Sequence, residues 1–213
     1  MNSARENILS RLKEAKNKRG EIKAEIPNFA SPIYHSLDES LALEFRKNLE
    51  LIGGKVITCK TEKDIPSIIK SICKEKNQKK VFCKDQNIQN LLNPEIEVLS
   101  DEHDFLDINI GITSCEFLVA HLGSVLISSA QISGRRLNVF PETHIVVAQQ
   151  TQIANYLDDA IEKLRNKYKN ELPSLISNIT GPSRTADIEK TLVMGMHGPK
   201  SLIVVISEEP IKN

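Results

Sequence analysis

The sequence predicts an α/β domain built on parallel strands. Two observations carry that prediction. Through the first half, short apolar runs alternate with longer segments whose apolar residues recur every three or four positions. In the second half, further apolar runs are separated by polar, glycine-containing loops. Strands joined through helices need crossover connections, and crossovers give parallel neighbours. At 213 residues the chain can bury one substantial core.

Residues 3–18 form the first expected helix, with Ile8, Leu9, Leu12 and Ala15 on one face among Lys and Arg. From Gly20 to Ser36 no period is visible, and Pro27 and Pro32 favour an extended arm. Residues 1–36 are therefore separated from a domain at 37–213. The helix can dock on its own domain, on a neighbouring copy in a homo-oligomer, or on another protein. A second helix fits 37–52, where Leu41, Phe45, Leu49 and Ile52 align before Gly53-Gly54. Lys55–Cys59 is a strand. Thr61–Asn77 is a helix with Ile65, Ile68, Ile69, Ile72 and Cys73 in phase. Lys80–Cys83 is a strand, Asp85–Leu92 a short helix, and Ile96–Leu99 and Asp107–Ile112 further strands.

In the second half, Val125–Ser128 and His144–Ala148 read as strands. Ile153, Leu157, Ile161 and Leu164 mark a helix over 151–168. A turn and helix start follow at Thr180–Glu189, then a loop at Gly195–Pro199 and a last strand at Leu202–Ile206. Ligands of open α/β sheets sit at loops beyond the carboxyl ends of strands.

Composition narrows the function classes. Lys plus Arg and Asp plus Glu both number 28, so the formal net charge is zero. A nucleic-acid binder needs a basic surface, and attachment to anionic lipid needs a polybasic patch. Phe117–Gly134 carries no charge apart from His121, yet its four serines, two glycines and a glutamine suit buried strands better than a spanning helix. Met1–Glu6 leads into an amphipathic helix, unlike a signal peptide. Cys59, Cys73, Cys83 and Cys115 are widely spaced and include no Cys-x-x-Cys pair. Iron–sulfur and structural zinc sites need clustered thiolates, so the expectation is no metal and no cofactor in this chain, with reduced thiols in a cytoplasm.

The most informative stretch is Thr180-Gly181-Pro182-Ser183-Arg184-Thr185-Ala186-Asp187-Ile188-Glu189, with Met196-His197-Gly198-Pro199 close behind. A Gly-Pro turn opening a helix leaves backbone N–H groups free where the macrodipole favours an anion. Arg184 adds a planar donor fork suited to carboxylate or phosphate. Thr180, Gly181, Ser183, Arg184, Thr185, Asp187 and Gly198 are therefore candidate ligand contacts. The same residues also suit an ordinary capped helix start, with Asp187 and Glu189 complementing the dipole. Gly198 and Pro199 would aim His197 rigidly, as a proton shuttle or as a turn histidine bonded to a carbonyl. His121 and Gly123 can face a ligand, with Glu116 orienting His121 or acting as a base; Glu116 equally suits a helix start. Arg135-Arg136 is either a second anion contact or a solvated pair. The catalytic candidates are thus His197, His121 and Glu116, and no nucleophile–base–orienter trio follows from the spacing.

The signature at Thr180–Glu189 and His197-Gly198-Pro199 resembles that of the lactate-utilization protein C family, the LUD domain. The resemblance extends through Asp107–Thr113, Leu122-Gly123-Ser124, Arg135-Arg136 and Pro141-Glu142-Thr143-His144. It implies a Rossmann-like core of the sugar-phosphate isomerase and CoA-transferase class. It also implies a part in oxidising L-lactate to pyruvate within a three-part cytoplasmic system whose iron–sulfur clusters lie on a partner subunit. On that basis the chain is expected to be a non-redox ligand-binding or assembly subunit. The alternatives are a stand-alone enzyme acting on a sugar phosphate or acyl-CoA, and a regulatory binding module. One departure stands out: His121-Leu122-Gly123 occupies the place of a Glu-Thr-Gly triplet common in the family.

Overall fold

Six parallel strands form the central sheet, and their order shows how the chain winds. The structure, a computed structural model, describes residues 3–19, 34, 36, 37, 39–101, 103, 108–169, 171–185 and 193–211. It divides into two compact units, Met1–Ser36 and Leu37–Asn213. In the first, α1 spans Ala4–Arg19. Ser3 and Glu6 cap it reciprocally: the Ser3 N–H donates to Glu6 Oε2 at 2.7 Å, and the Glu6 N–H to Ser3 Oγ at 3.3 Å. Ile8, Leu9 and Leu12 are exposed. The arm expected at 20–36 falls almost wholly outside the described residues.

In the second unit the elements are α2 (Leu41–Leu51), β1 (Lys55–Cys59), α3 (Ile65–Glu75), β2 (Lys80–Cys83), α4 (Gln86–Leu92), β3 (Glu97–Leu99), β4 (Ile110–Thr113), β5 (Phe117–Val119), β6 (Ser124–Ser128), β7 (Thr143–Gln149), β8 (Ile153–Ala154), α5 (Leu157–Lys167), β9 (Ile176–Ile179), β10 (Arg184–Thr185), β11 (Val193–Met194) and β12 (Ser201–Ser207). The central sheet runs β1-β12-β7-β4-β2-β3, parallel throughout. The α/β class with a parallel core is what the alternating pattern predicts.

Each layer follows from the side-chain pattern. On one sheet face, Ile65, Ile69, Ile72 and Cys73 of α3 and Ile88 and Leu92 of α4 meet Ile110, Ile112, Ile145, Val147, Ile203 and Val205. The opposite face offers Val146, Ala148, Leu202, Val204 and Ile206 to Phe45 and Leu49 of α2 and to Leu118, Val125 and Ile127. Those last three belong to a second sheet, β8-β5-β6-β9, which the sequence reading does not contain. Its outer face is covered by Ala160 and its neighbours on α5. Of its strands only β6 is read from the sequence, as Val125–Ser128; β5, β8 and β9 have two to four residues, too short for their period to separate them from loop.

Two further boundaries depart from expectation. Ile153, read in phase with a helix over 151–168, lies in β8, and α5 begins only at Leu157. The helix start expected at Thr180–Glu189 is absent at Arg184-Thr185, which pairs antiparallel with Met194 and Val193. The remainder of that expected helix lies outside the described residues.

Candidate functional site

Parallel strands begin together, so the loops entering β1, β4, β7 and β12 share one edge of the sheet. The C-terminal signature is assembled at this amino edge rather than beyond the carboxyl ends. The Ser183 N–H donates to the Pro199 carbonyl at 2.8 Å, and the Gly195 N–H to the Ser183 carbonyl at 3.0 Å. Gly198 leaves 3.2 Å between its own Cβ position and Ser183 Cβ. Gly181 rests against Ile52 at the end of α2. The structure therefore brings Gly181, Ser183 and Gly198 together. Thr180 is exposed and Thr185 half-buried beside them. His197 is exposed on the same loop, while Asp187 lies outside the described residues.

Next to this loop is a hollow of about 230 Å³ lined by Ile108, Asn109, Phe140, Pro141, Glu142, Gly195, Gly198 and Lys200. A second, of about 310 Å³, shares Asn109, Glu142 and Lys200 and adds Lys76, Gln78 and the first residues of β4, β7 and β12. Lys200 Nζ donates to Glu142 Oε1 at 3.0 Å, with both side chains more than half exposed. Such a pair is weak, so a ligand carboxylate can compete with Glu142 for the ammonium.

Arg184 is exposed, and its side chain makes no hydrogen bond or ion pair among the described residues. Its guanidinium lies over Gly53, at the carboxyl end of α2, whose last turn carries no basic residue. A cation there complements the helix dipole. Arg184 does not line either hollow.

The other candidates lie elsewhere. Glu116 is buried, and its carboxylate accepts from Ser128 Oγ (2.6 Å), Lys167 Nζ (2.6 Å) and Tyr168 OH (2.7 Å). Burial alone would raise its pKa, but the hydrogen bonds from Lys167, Ser128 and Tyr168 outweigh it and hold the group below the usual carboxylate range. The carboxylate therefore ties α5 to β6 rather than orienting His121. The His121 ring instead meets Tyr156 edge-on at 5.5 Å, while the His121 backbone N–H donates to the Asn155 carbonyl at 3.0 Å. At Gly123, with φ +59°, the close approach is made by the α2 backbone at Asn48 and Leu49. Arg135 Nη2 donates to Ser174 Oγ at 2.7 Å. Arg136 stacks over Phe140, its Cζ 5.7 Å from the ring centroid, and so reaches the wall of the smaller hollow.

Sequence reasoning passed over Lys200, Phe140 and Asn109, whose place at the hollow depends on three separate strands starting side by side. His144, read from the sequence as the first residue of a strand, is the second residue of β7 and fully buried, and burial pushes its pKa down to about 4. Among the described residues no three His, Cys, Asp or Glu gather as metal ligands. All four cysteines are buried free thiols, and burial pushes Cys83 up to about 12.

Comparison with known proteins follows the same boundaries. The LUD domain family matches residues 42–207. Lactate utilization protein C of Bacillus subtilis (strain 168) is 37% identical over 103 residues, 47% of this chain and 43% of that protein. The protein of the same name from Geobacillus sp. (strain WCH70) is 38% identical over 108 residues, with the same coverage of each chain. These matched segments span less than half the length of either relative. Lactate utilization protein C 1 of Bacillus mycoides (strain KBAB4) is 25% identical over 96% of this chain and 97% of its own length. Among solved structures, a DUF162 family protein from Deinococcus radiodurans shares the fold with TM-score 0.60 and 19% identity, covering 78% of this chain and 96% of that one. With the family match extending from α2 to the end of β12, this chain belongs to the LUD domain family.

Proposed function

We propose that this chain is the lactate-utilization protein C-like component of a cytoplasmic system that oxidises L-lactate to pyruvate. Its part there is to bind a small carboxylate and to assemble with partner subunits that carry the iron–sulfur clusters. The observation that carries this reading is the near full-length similarity to lactate utilization protein C 1, combined with an exposed Arg184 in the signature whose side chain has no partner among the described residues. Lactate and pyruvate are small carboxylates, and a guanidinium fork is the side chain best matched to them. Ser183, Thr185 and His197 can supply further hydrogen bonds, Lys200 lines the neighbouring hollow, and Arg136 stacks on Phe140 of its wall.

Two measurements test this. In the first, native partners are co-purified with the full chain, and lactate-dependent dye reduction is followed with and without it. Reduction that requires the chain supports the proposal, and partners that reduce the dye equally well alone overturn it. The second is calorimetry with lactate and pyruvate. Loss of a charged hydrogen bond in Arg184→Ala is expected to weaken binding by about 1.5–3 kcal/mol. Unchanged affinity removes Arg184 from the site.

A further inference from the structure

The loop over 129–142 crosses the sheet face that α2 and the second sheet leave uncovered. Gly111 on β4 makes this possible. Its Cβ position is only 2.5 Å from Pro141 Cγ and 2.8 Å from Leu137 Cδ1, so any side chain there would lift the loop. His144 on β7 is the register partner of Gly111, and its ring leans over β4 to reach Thr113 Oγ1 at 2.9 Å through Nε2. The Leu137 carbonyl lies 3.2 Å from the same Gly111 Cβ position, which brings the next residue, the buried Asn138, to the neighbourhood of Gly111 and its register partner His144.

Both side chains are more than nine-tenths buried, and each leaves one atom, His144 Nδ1 and Asn138 Oδ1, without a partner among the described residues. A buried polar atom left unpaired loses its hydration with nothing in return, so it calls for a partner. Burial keeps the imidazole neutral, so it carries a single N–H. With that proton on Nε2, donating to Thr113 Oγ1, both orphan atoms are acceptors and cannot bond each other. The guest that satisfies them must offer two donors. It must also be uncharged, because neither side chain would compensate a buried charge.

We infer that His144 Nδ1 and Asn138 Oδ1 together form a binding site for one internal water molecule, which donates to both and fastens the 129–142 loop to the central sheet. Buried waters characteristically bridge otherwise unsatisfied groups of this kind. The fastening reaches the candidate site, since the same loop supplies Arg136 and the hollow's wall at Phe140 and Pro141. The inference does not rest on the proposed function.

The test is NMR on the full chain carrying ¹⁵N-histidine. The long-range proton–nitrogen pattern of His144 reports which ring nitrogen bears the proton, and cross-relaxation from its ring protons reports bound water. The expected result is an Nε2–H tautomer with Nδ1 accepting a hydrogen bond and a cross-peak to long-lived water. In Asn138→Leu, which removes the acceptor and fills the space, the water cross-peak is expected to vanish. Amide exchange over 129–142 should rise at least tenfold there while β7 and β12 keep their protection. An Nδ1–H tautomer, a dry Nδ1, or a water signal unchanged in Asn138→Leu overturns the inference. If Asn138→Leu does not fold, the wild-type tautomer and water signal decide the inference.

Discussion

The guanidinium of Arg184 occupies the place where a side chain on Gly53 would begin, with Nη2 2.7 Å from the Gly53 Cβ position. Gly53 has φ +87°, the left-handed region at a helix end that favours glycine. One position thus serves two demands, terminating α2 and leaving room for the arginine of the signature. Gly53→Ala is expected to cost about 1–2 kcal/mol from backbone strain and to displace the guanidinium. A urea-denaturation cycle with Arg184→Ala should show coupling of about 0.5 kcal/mol or more, because the second substitution removes the contact but leaves the strain. Strict additivity would show that the two residues do not touch in solution.

Gly123 meets a harder neighbour. Its Cβ position falls on the α2 backbone at Leu49, and the Asn48 amide donates to the carbonyls of Ala120 (2.9 Å) and His121 (3.2 Å). A backbone cannot swing aside as a side-chain tip can. Gly123→Ala should therefore cost about 3 kcal/mol or more, combining a left-handed alanine with overpacking. Loss of hydrogen-exchange protection in α2 would accompany it. A variant as stable as the parent would show that α2 does not dock there.

Glu116→Gln removes the charge that Lys167, Ser128 and Tyr168 share. The amide keeps one acceptor but turns two donors toward other donors. A loss of about 1–3 kcal/mol is expected, read from urea midpoints, with faster exchange at the end of α5. Urea midpoints equal to the parent's would show that the carboxylate does not anchor α5 to β6.

Acid should destabilise the fold in two successive windows. The His144 pKa is lowered to about 4, whereas an unfolded histidine takes its proton near about 6.5. Between those values the unfolded state binds more protons. Stability therefore falls as pH drops from about 6.5 toward 4, at up to about 1.4 kcal/mol per pH unit. Glu116 is held below its unfolded value of about 4.3, so its contribution is present above that pH and lost as pH falls through the folded pKa. In His144→Phe, urea titrations at several pH values should flatten in the upper window only. In Glu116→Gln the lower window should flatten. An unchanged upper slope in His144→Phe would assign that proton uptake to another group.

How much was legible depends on what each feature needs. Lys55–Cys59 and Lys80–Cys83 have the bounds read from the sequence, because a short run centred on Val56 and Ile57, or on Val81, Phe82 and Cys83, between helix-ending breaks is too short for a helix and is buried as a strand. The α3 stripe of Ile65, Ile69, Ile72 and Cys73 was equally plain, since helical spacing alone puts them on one face. Arg184-Thr185 was misread because Gly-Pro-Ser suits a helix start as well as a hairpin. Its strand partners, Val193 and Met194, lie eight or more residues away.

By itself the sequence determined the alternation of strand and helix, the parallel sheet and the signature segments, because each depends on local periodicity or on residue types at fixed spacing. Only the tertiary structure decided that the signature gathers at the amino edge of the sheet and that Glu116 is sealed among Ser128, Lys167 and Tyr168. It alone sets His144 beneath a loop. Those outcomes depend on which strands lie side by side, and that order, β1-β12-β7-β4-β2-β3, is fixed by long-range burial of apolar faces that no short window of residues contains.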